Sequence, residues 1–477
     1  MGGIELSAGD NGAMDSQSSA RFRSLTGPFR VIFLLCSTIG VLLAAHQILG
    51  LQSVTGLTLL ENSYLYLLVA LYLSNVFLIF PATSKSPRLH IPMYDVILFI
   101  TCLAVGGYFS LTGLTSLKEG WEFISPTWPV VMAFVFWLLI MEAARRAGGL
   151  AIAIIFGTFS LYPIFADASF MPALLSGLSQ DLVSTASYHI MSEESVLGIP
   201  LRVFGTLIVG FILFGVALQS TGGGRFFINL AFAVLGGVRG GPAKVAIFAS
   251  GLFGSLSGSV VTNVLTTGSM TIPAMKKTGY PPQYAGGIEA CASTGGVLMP
   301  PVMGATAFVM ASFLDISYAA VALAAVVPSI LYFFGLFVQI DAYAARNDIK
   351  GLPKSELPSV KKTVSEGWYY IFGFLLLVYL LIYLKREAHA PFYATVALLA
   401  LSQFGKLRSQ DIWYYILGGG ILGFLAIILA SVMFSAAFVT TVPVAAGLLL
   451  LGLSQVPKKI RISVDKVLGF LESSGRL

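Results

Sequence analysis

Charge is what this sequence has least of. Only 10% of its 477 residues are Asp, Glu, Lys or Arg, where an ordinary soluble domain carries about 25%. A soluble enzyme, a nucleic-acid-binding module and a disordered scaffold all need more charge than that, so all three are excluded. Cysteine is equally scarce. Cys36, Cys102 and Cys291 stand far apart with no CxxC or zinc spacing among them, and they read as small core hydrophobes. The four histidines, His46, His90, His189 and His389, form no pair at metal-ligand spacing, which argues against a metal centre. There is no GxxxxGK followed by Ser or Thr, so ATP-driven work would need another subunit. No His, Asp or Cys constellation lies within the apolar runs, and an intramembrane enzyme is therefore a poor reading.

What fills the space is apolar. Hydrophobic residues make up 56% of the chain, enough for roughly a dozen spans of about 20 residues each. The runs are long and lack the alternation of a membrane barrel. The expected fold is an all-α polytopic membrane protein with about 12 transmembrane helices, one re-entrant hairpin and one broken helix. Spans are expected near 29–50, 63–80, 93–112, 126–144, 149–166 and 201–220, then 316–340, 367–384, 391–404, 412–430 and 436–453. The polar stretch 1–28 reads as a disordered cytoplasmic tail. The run from Phe29 to Gly50 lacks a small-residue cleavage site and reads as a first span rather than a signal peptide.

Basic loops alternate with neutral or acidic ones. Arg21, Arg23 and Arg30, then Lys85 and Arg88, then Arg145 and Arg146 fall on one side, which places the N-terminus in the cytoplasm. The 167–199 segment falls outside and carries Asp167, Asp181, Glu193 and Glu194 without Lys or Arg. Its part from Gly177 to Pro200 reads either as an amphipathic helix on the outer surface or as a merely solvated stretch. Only Lys385 and Arg386 break the alternation.

Lys244 and Lys276 both belong inside, yet the stretch between them is mostly apolar with Gly, Ser, Thr and Asn at its middle. One span would put its ends on opposite sides; a re-entrant hairpin over 245–275 satisfies both. Irregular backbone at membrane depth is tolerated only within protein or along a wet cavity, so the tip from Gly254 to Ser259, with Thr262 and Asn263, should face a cavity. From Pro282 to Phe313 a second run is interrupted by Ser293-Thr294-Gly295-Gly296 and Met299-Pro300-Pro301. The prolines remove donors and the glycines let the chain unwind, so a broken helix is expected. Two interrupted segments in succession point to the ion and substrate site of a secondary transporter, where half-helix N-termini suit a carboxylate. Glu289 reads equally as a functional intramembrane carboxylate or as an end group reaching the interface.

These segments carry a resemblance. Gly251-Leu-Phe-Gly-Ser-Leu-Ser-Gly-Ser-Val-Val-Thr-Asn263, Thr266-Thr-Gly-Ser-Met-Thr-Ile-Pro-Ala-Met-Lys-Lys-Thr-Gly-Tyr280, Glu289-Ala-Cys-Ala-Ser-Thr-Gly-Gly296 and Met299-Pro-Pro-Val-Met-Gly-Ala305 resemble the permease of tripartite ATP-independent periplasmic (TRAP) transporters, in the type that fuses small and large subunits. The resemblance is close over 200–345 and by span count alone before that. It implies a four-helix small-permease-like (DctQ-like) scaffold at 29–147 and the first half of a large (DctM-like) permease at 148–345. Residues 346–477 would then form a cytoplasmic linker and further transmembrane helices.

The resemblance further implies an inner-membrane, sodium-coupled importer of a small organic acid such as a dicarboxylate, working as an elevator. The substrate would be delivered by a periplasmic binding protein of the TAXI type. No cofactor is implied beyond the sodium ion. The candidate substrate- and cation-binding residues are Ser257, Gly258, Ser259, Asn263, Ser293, Thr294, Gly295, Gly296, Pro300 and Pro301, with sodium at Ser257, Asn263 and Thr294. The chain departs from the family at Val297, where Gln is typical, and at Ser312, where Glu is common. No second Gly/Ser hairpin or Pro-Pro break follows residue 345. The alternative to a transporting permease is therefore a half-site that a second permease chain completes, or a scaffold subunit that does not transport.

Overall fold

The computed structural model describes residues 22–404 apart from Ser84, with scattered helical positions between 420 and 449. Among these residues every regular element is helical. Seven helices are long and apolar enough to cross a membrane: Gly27–Ile48, Glu61–Ile79, Met93–Glu119, Thr127–Gly148, Ile199–Thr221, Tyr318–Arg346 and Lys354–Tyr383. The runs expected as spans at 149–166 and 391–404 form helices of 16 and 15 residues, Leu150–Phe165 and Ala390–Phe404. At 1.5 Å per residue Leu150–Phe165 reaches about 24 Å, short of a hydrocarbon core of roughly 30 Å, while Ala390–Phe404 runs up to the last continuously described residue. The spans expected at 412–430 and 436–453 lie outside the described residues.

Contacts divide the chain into two compact units. The N-terminal unit holds α1 (Gly27–Ile48), α2 (Glu61–Ile79), α3 (Met93–Glu119), α4 (Thr127–Gly148), α5 (Leu150–Phe165) and α6 (Leu182–Met191). Helix α2 is its most buried span. Small residues bring α3 against it: a Cβ on Gly106 would lie 2.6 Å from that of Ala70, and one on Gly113 would lie 2.6 Å from Ser63 Oγ. Where lipid offers no hydrophobic drive between helices, such close approach is what holds them. Helix α5 buries none of its side chains within the protein.

Part of the expected tail is structured. Arg23 is only 1% exposed; its guanidinium meets Asp95 at 2.6 Å and donates to the Phe77 carbonyl at 3.1 Å. Asp95, fully buried, also meets Arg146 at 2.6 Å, and Arg146 meets Glu142 at 2.7 Å. A polar sequence reads as disorder only until a buried partner for its charge is found. Residues before 22 lie outside the described residues.

The Gly177–Pro200 segment does contain a helix, α6. Asp181 caps it by accepting from the Val183 and Ser184 amides. Thr185, Ala186, Ile190 and Met191 are buried, with Tyr66 Oη donating to the Ile190 carbonyl at 2.9 Å. The helix is therefore packed on the protein rather than lying free on a surface. Beyond it, hydrogen bonds from Arg202 and then Asn62 hold the Glu193 carboxyl below the usual carboxylate range.

The C-terminal unit holds α7 (Val209–Thr221), α8 (Gly223–Leu235), α9 (Gly241–Ser257), α10 (Val260–Lys277), α11 (Pro282–Leu298), α12 (Ala305–Phe313), α13 (Tyr318–Arg346), α14 (Val360–Val378) and α15 (Ala390–Phe404). Helices α9 and α10 form an antiparallel pair joined by a two-residue turn, and α11 packs against both. Behind them Ala243, Ala246, Ile247, Met275, Ile288, Ala292, Ile340 and Ala344 make a continuous apolar core. The run 282–313 is broken, as α11 stops at Leu298 and α12 starts at Ala305.

Candidate functional site

Three features of the C-terminal unit converge: the turn between α9 and α10, the break between α11 and α12, and a buried cluster of oxygens beneath them. The turn exists because Gly258 adopts a left-handed conformation, φ 62°, ending α9 with its N–H on the Gly254 carbonyl at 3.0 Å. A side chain there would be strained and would also approach the Met303 carbonyl oxygen to 2.7 Å. Ser259 then caps α10 by accepting from the Thr262 amide at 3.3 Å, which satisfies one of the orphan donors of that helix end. The Ser257 hydroxyl oxygen is buried and has no hydrogen-bond partner.

The break sits on the turn. The Val302 amide donates to the Ser255 carbonyl at 3.1 Å, and the Gly304 amide donates back to the Val297 carbonyl at 2.9 Å. Tyr318 Oη reaches the Pro301 carbonyl at 2.9 Å and also contacts that of Val302. The Tyr318 ring stacks on Phe308 at 4.1 Å, and Phe308 meets Phe211 at 4.7 Å. The freed carbonyls expected at a Pro-Pro break are thus partly taken by a tyrosine. The contact of Gly258 with Met303 and Gly304 brings the N-terminus of α12 beside that of α10. Two helix N-termini carrying partial positive charge then share one place.

The glycines of α11 do not unwind it. The helix runs unbroken through Ser293-Thr294-Gly295-Gly296 to Leu298, and the irregular backbone is confined to 299–304. Gly295 and Gly296 serve close packing instead. A Cβ on Gly296 would lie 2.4 Å from the Ser250 carbonyl oxygen, and one on Gly295 would lie 2.4 Å from the Tyr332 ring. Gly254 faces Gly296 in the same way, so α9, α10 and α11 touch where Gly254, Gly296 and Asn263 meet.

Beneath that crossing lies Glu289, 0% exposed. Ser250 from α9 and Ser293 from α11 donate to its Oε1 at 3.2 and 3.3 Å. From α10, Thr267 contacts Oε1 and Thr271 contacts Oε2. Asn263, equally buried, donates to the Ser250 carbonyl at 3.1 Å, and its amide oxygen lies 3.4 Å from Thr267 Oγ1.

The ten sequence-derived positions therefore separate. Ser257, Gly258 and Ser259 form the turn, while Pro300 and Pro301 lie in the break beside it. Asn263 and Ser293 belong to the buried cluster, where their polar groups already have partners. Gly295 and Gly296 are packing contacts. Thr294 is exposed, with its hydroxyl bonded to the Ala290 carbonyl of its own helix at 2.8 Å. Sequence reasoning passed over Ser250, Thr267 and Thr271. Their signal was a spacing: Asn263, Thr267 and Thr271 recur every four residues and so share one face of a helix.

Comparison with known proteins follows the same segments. Residues 135–469 match the family described as the tripartite ATP-independent periplasmic transporter, DctM component, a stretch that extends past both ends of the 148–345 segment. The C4-dicarboxylate TRAP transporter large permease protein DctM of Pseudomonas aeruginosa is 31% identical over 225 residues, covering 46% of this chain and 52% of that protein. Its namesake from Vibrio cholerae is 30% identical over 247 residues, 51% of this chain and 49% of that protein. The ectoine/5-hydroxyectoine TRAP transporter large permease protein UehC of Ruegeria pomeroyi is 26% identical over 267 residues, 55% of this chain and 60% of that protein. The chain spans about half the length of these curated relatives.

Proposed function

We propose that this chain, which belongs to the family of DctM components of tripartite ATP-independent periplasmic transporters, is the permease of a secondary transporter that imports a small organic acid with sodium. The observation that carries this reading is the meeting of two helix N-termini, those of α10 and α12, over the turn at Gly258. Partial positive charge at such ends favours a carboxylate without a buried arginine. Two relatives are named for C4-dicarboxylates, which supports an acid as substrate. The Ser257 hydroxyl, buried and free of a partner, is the protein group best placed to meet the ligand. Around it, Ser259 and the carbonyls of the turn are the sodium ligands in this reading.

The remaining parts follow the same reading. The protein is a multi-pass inner-membrane protein of about twelve spans, with its N-terminus in the cytoplasm. A periplasmic binding protein of the TAXI type delivers the acid. The segment 29–147 is the small-permease-like scaffold, and the α9–α12 assembly is the part that moves as an elevator, with its hairpin re-entrant. A second reading rests on the coverage of the relatives by about half: a further permease chain completes the site, or the chain serves only as scaffold.

Uptake into proteoliposomes tests this. The purified chain with its binding protein should accumulate labelled dicarboxylate when sodium is high outside. Ser257→Ala should lower the rate about tenfold, the effect of losing one hydrogen bond of roughly 1.4 kcal/mol. Uptake that ignores both sodium and Ser257 would overturn the assignment. Uptake that appears only with a second permease chain would favour the second reading.

A further inference from the structure

Glu289 has no part in the reading above, yet among the described residues it is the most deeply placed acid of the C-terminal unit. Every partner it has is a hydroxyl: Ser250, Ser293, Thr267 and Thr271. The charged and titratable groups on the helices packed around it are occupied elsewhere. On α9, Lys244 meets Asp341 at 2.6 Å and covers the Phe337 ring. On α10, Lys277 meets Glu356 at 2.6 Å, and Lys276 is exposed. On α13, Asp341 faces Arg239 and Lys244, and Tyr332 Oη donates to the Cys291 carbonyl at 2.8 Å. On α11 itself, Tyr284 stacks on Tyr343 at 3.9 Å. Among the described residues no cation pairs with the Glu289 carboxyl. A buried ion without a partner is far more costly than a neutral, hydrogen-bonded acid.

The hydrogens can be counted. Each hydroxyl has one to give. Thr267 Oγ1, which accepts from Ser250 at 3.1 Å, gives its own to Oε1, while Thr271 Oγ1 has a helix carbonyl to give it to, that of Thr267 at 2.9 Å. With its hydrogen so placed, Thr271 turns a lone pair toward Oε2, which has no other partner. A proton on Oε2 then completes the set. Oε2–H donates to Thr271, Oε1 accepts from Thr267 and Ser293, Ser250 is shared between Oε1 and Thr267, and the cluster is neutral.

We propose that Glu289 is a proton-carrying carboxyl of the transport cycle, holding its proton on Oε2 against Thr271 while the α9–α11 crossing is closed and losing it to water when the crossing opens. In the release step the Glu289 O–H bond breaks, a water takes the proton as hydronium, and the carboxylate is left hydrated. This deepens the transport reading and rests on it.

Infrared difference spectroscopy on the purified full chain, titrated from acid to alkaline pH, tests the proton independently of transport. Wild type should show a protonated-carboxyl carbonyl band at neutral pH that is absent from Glu289→Gln and displaced in Thr271→Val. Glu289 ionised at neutral pH would overturn the proposal. So would a band that vanishes on adding sodium at constant pH, because the cluster would then be a sodium site. In proteoliposomes, the ratio of uptake with an inward proton gradient to uptake without one should exceed unity for wild type and fall to unity in Glu289→Gln. An unchanged ratio would sink the coupling role. Wild type inert under every gradient would instead remove the transport reading, while the infrared band still decides whether Glu289 holds a proton.

Discussion

Thr294 and Gly296 stand two residues apart on α11 and make opposite predictions. Thr294 faces outward and bonds its own helix, so Thr294→Ala should leave uptake and thermal stability in detergent within error of wild type. Gly296 lies where a methyl group would press on the Ser250 carbonyl and the Asn263 amide. Gly296→Ala should therefore lower stability by about 1–3 kcal/mol, the usual cost of overpacking, read as a fall in melting temperature. Asp95 is the residue-scale test in the other unit. It bridges Arg23 and Arg146, and removing one partner of a buried pair costs about 3–5 kcal/mol, so Asp95→Asn should depress melting strongly. His389 supplies a pH test. Burial, with help from Arg386, pushes its imidazole from 6.5 down to about 4. The unfolded chain therefore binds the extra proton first, and stability falls as pH drops from 6.5 toward 4. His389→Gln should flatten melting temperature across that window.

The helical hairpin and the broken helix act as one element, held at the turn by the Val302–Ser255 hydrogen bond and at the break by Tyr318. Tyr318→Phe keeps the ring stack on Phe308 and removes only the hydroxyl. It should cost about 1–3 kcal/mol by leaving buried carbonyls unpaired, and it should slow uptake if the break shapes the site. Proteoliposome uptake and melting, measured on the same preparation, separate the two effects. The existence of both elements was legible in the residues: Gly258 beside Ser259 marks a turn, and Pro300-Pro301 cannot continue a helix. The extent of the break was not legible. Glycine only permits unwinding, and the neighbours facing Gly295 and Gly296 hold them helical and use the missing side chains for contact.

For the whole molecule, the decisive question is on which side of the membrane the hairpin ends lie. In a Cys291→Ser background, because Cys291 is exposed, cysteines placed at Arg239 and Lys276 should react with a membrane-impermeant thiol reagent from one face only, and from the same face. Labelling from opposite faces would dissolve the hairpin's re-entrant character and with it the shared site of two helix ends. The charge alternation that suggested this arrangement also proposes a cytoplasmic N-terminus, and the same reagent on a cysteine at Lys85 checks it.

The sequence by itself determined the class: a chain this apolar, with so little charge, has no solution but packed helices in lipid. It also determined that the hairpin turns and the 282–313 run breaks, because Gly and Pro act locally. Only the tertiary structure decided which polar groups matter. Glu289 reads the same whether it reaches an interface or is sealed in, and the difference rests on Ser250, Thr267 and Thr271 arriving from two other helices. Burial of a charge is a property of its neighbours, and neighbours distant in sequence are set only when the helices pack.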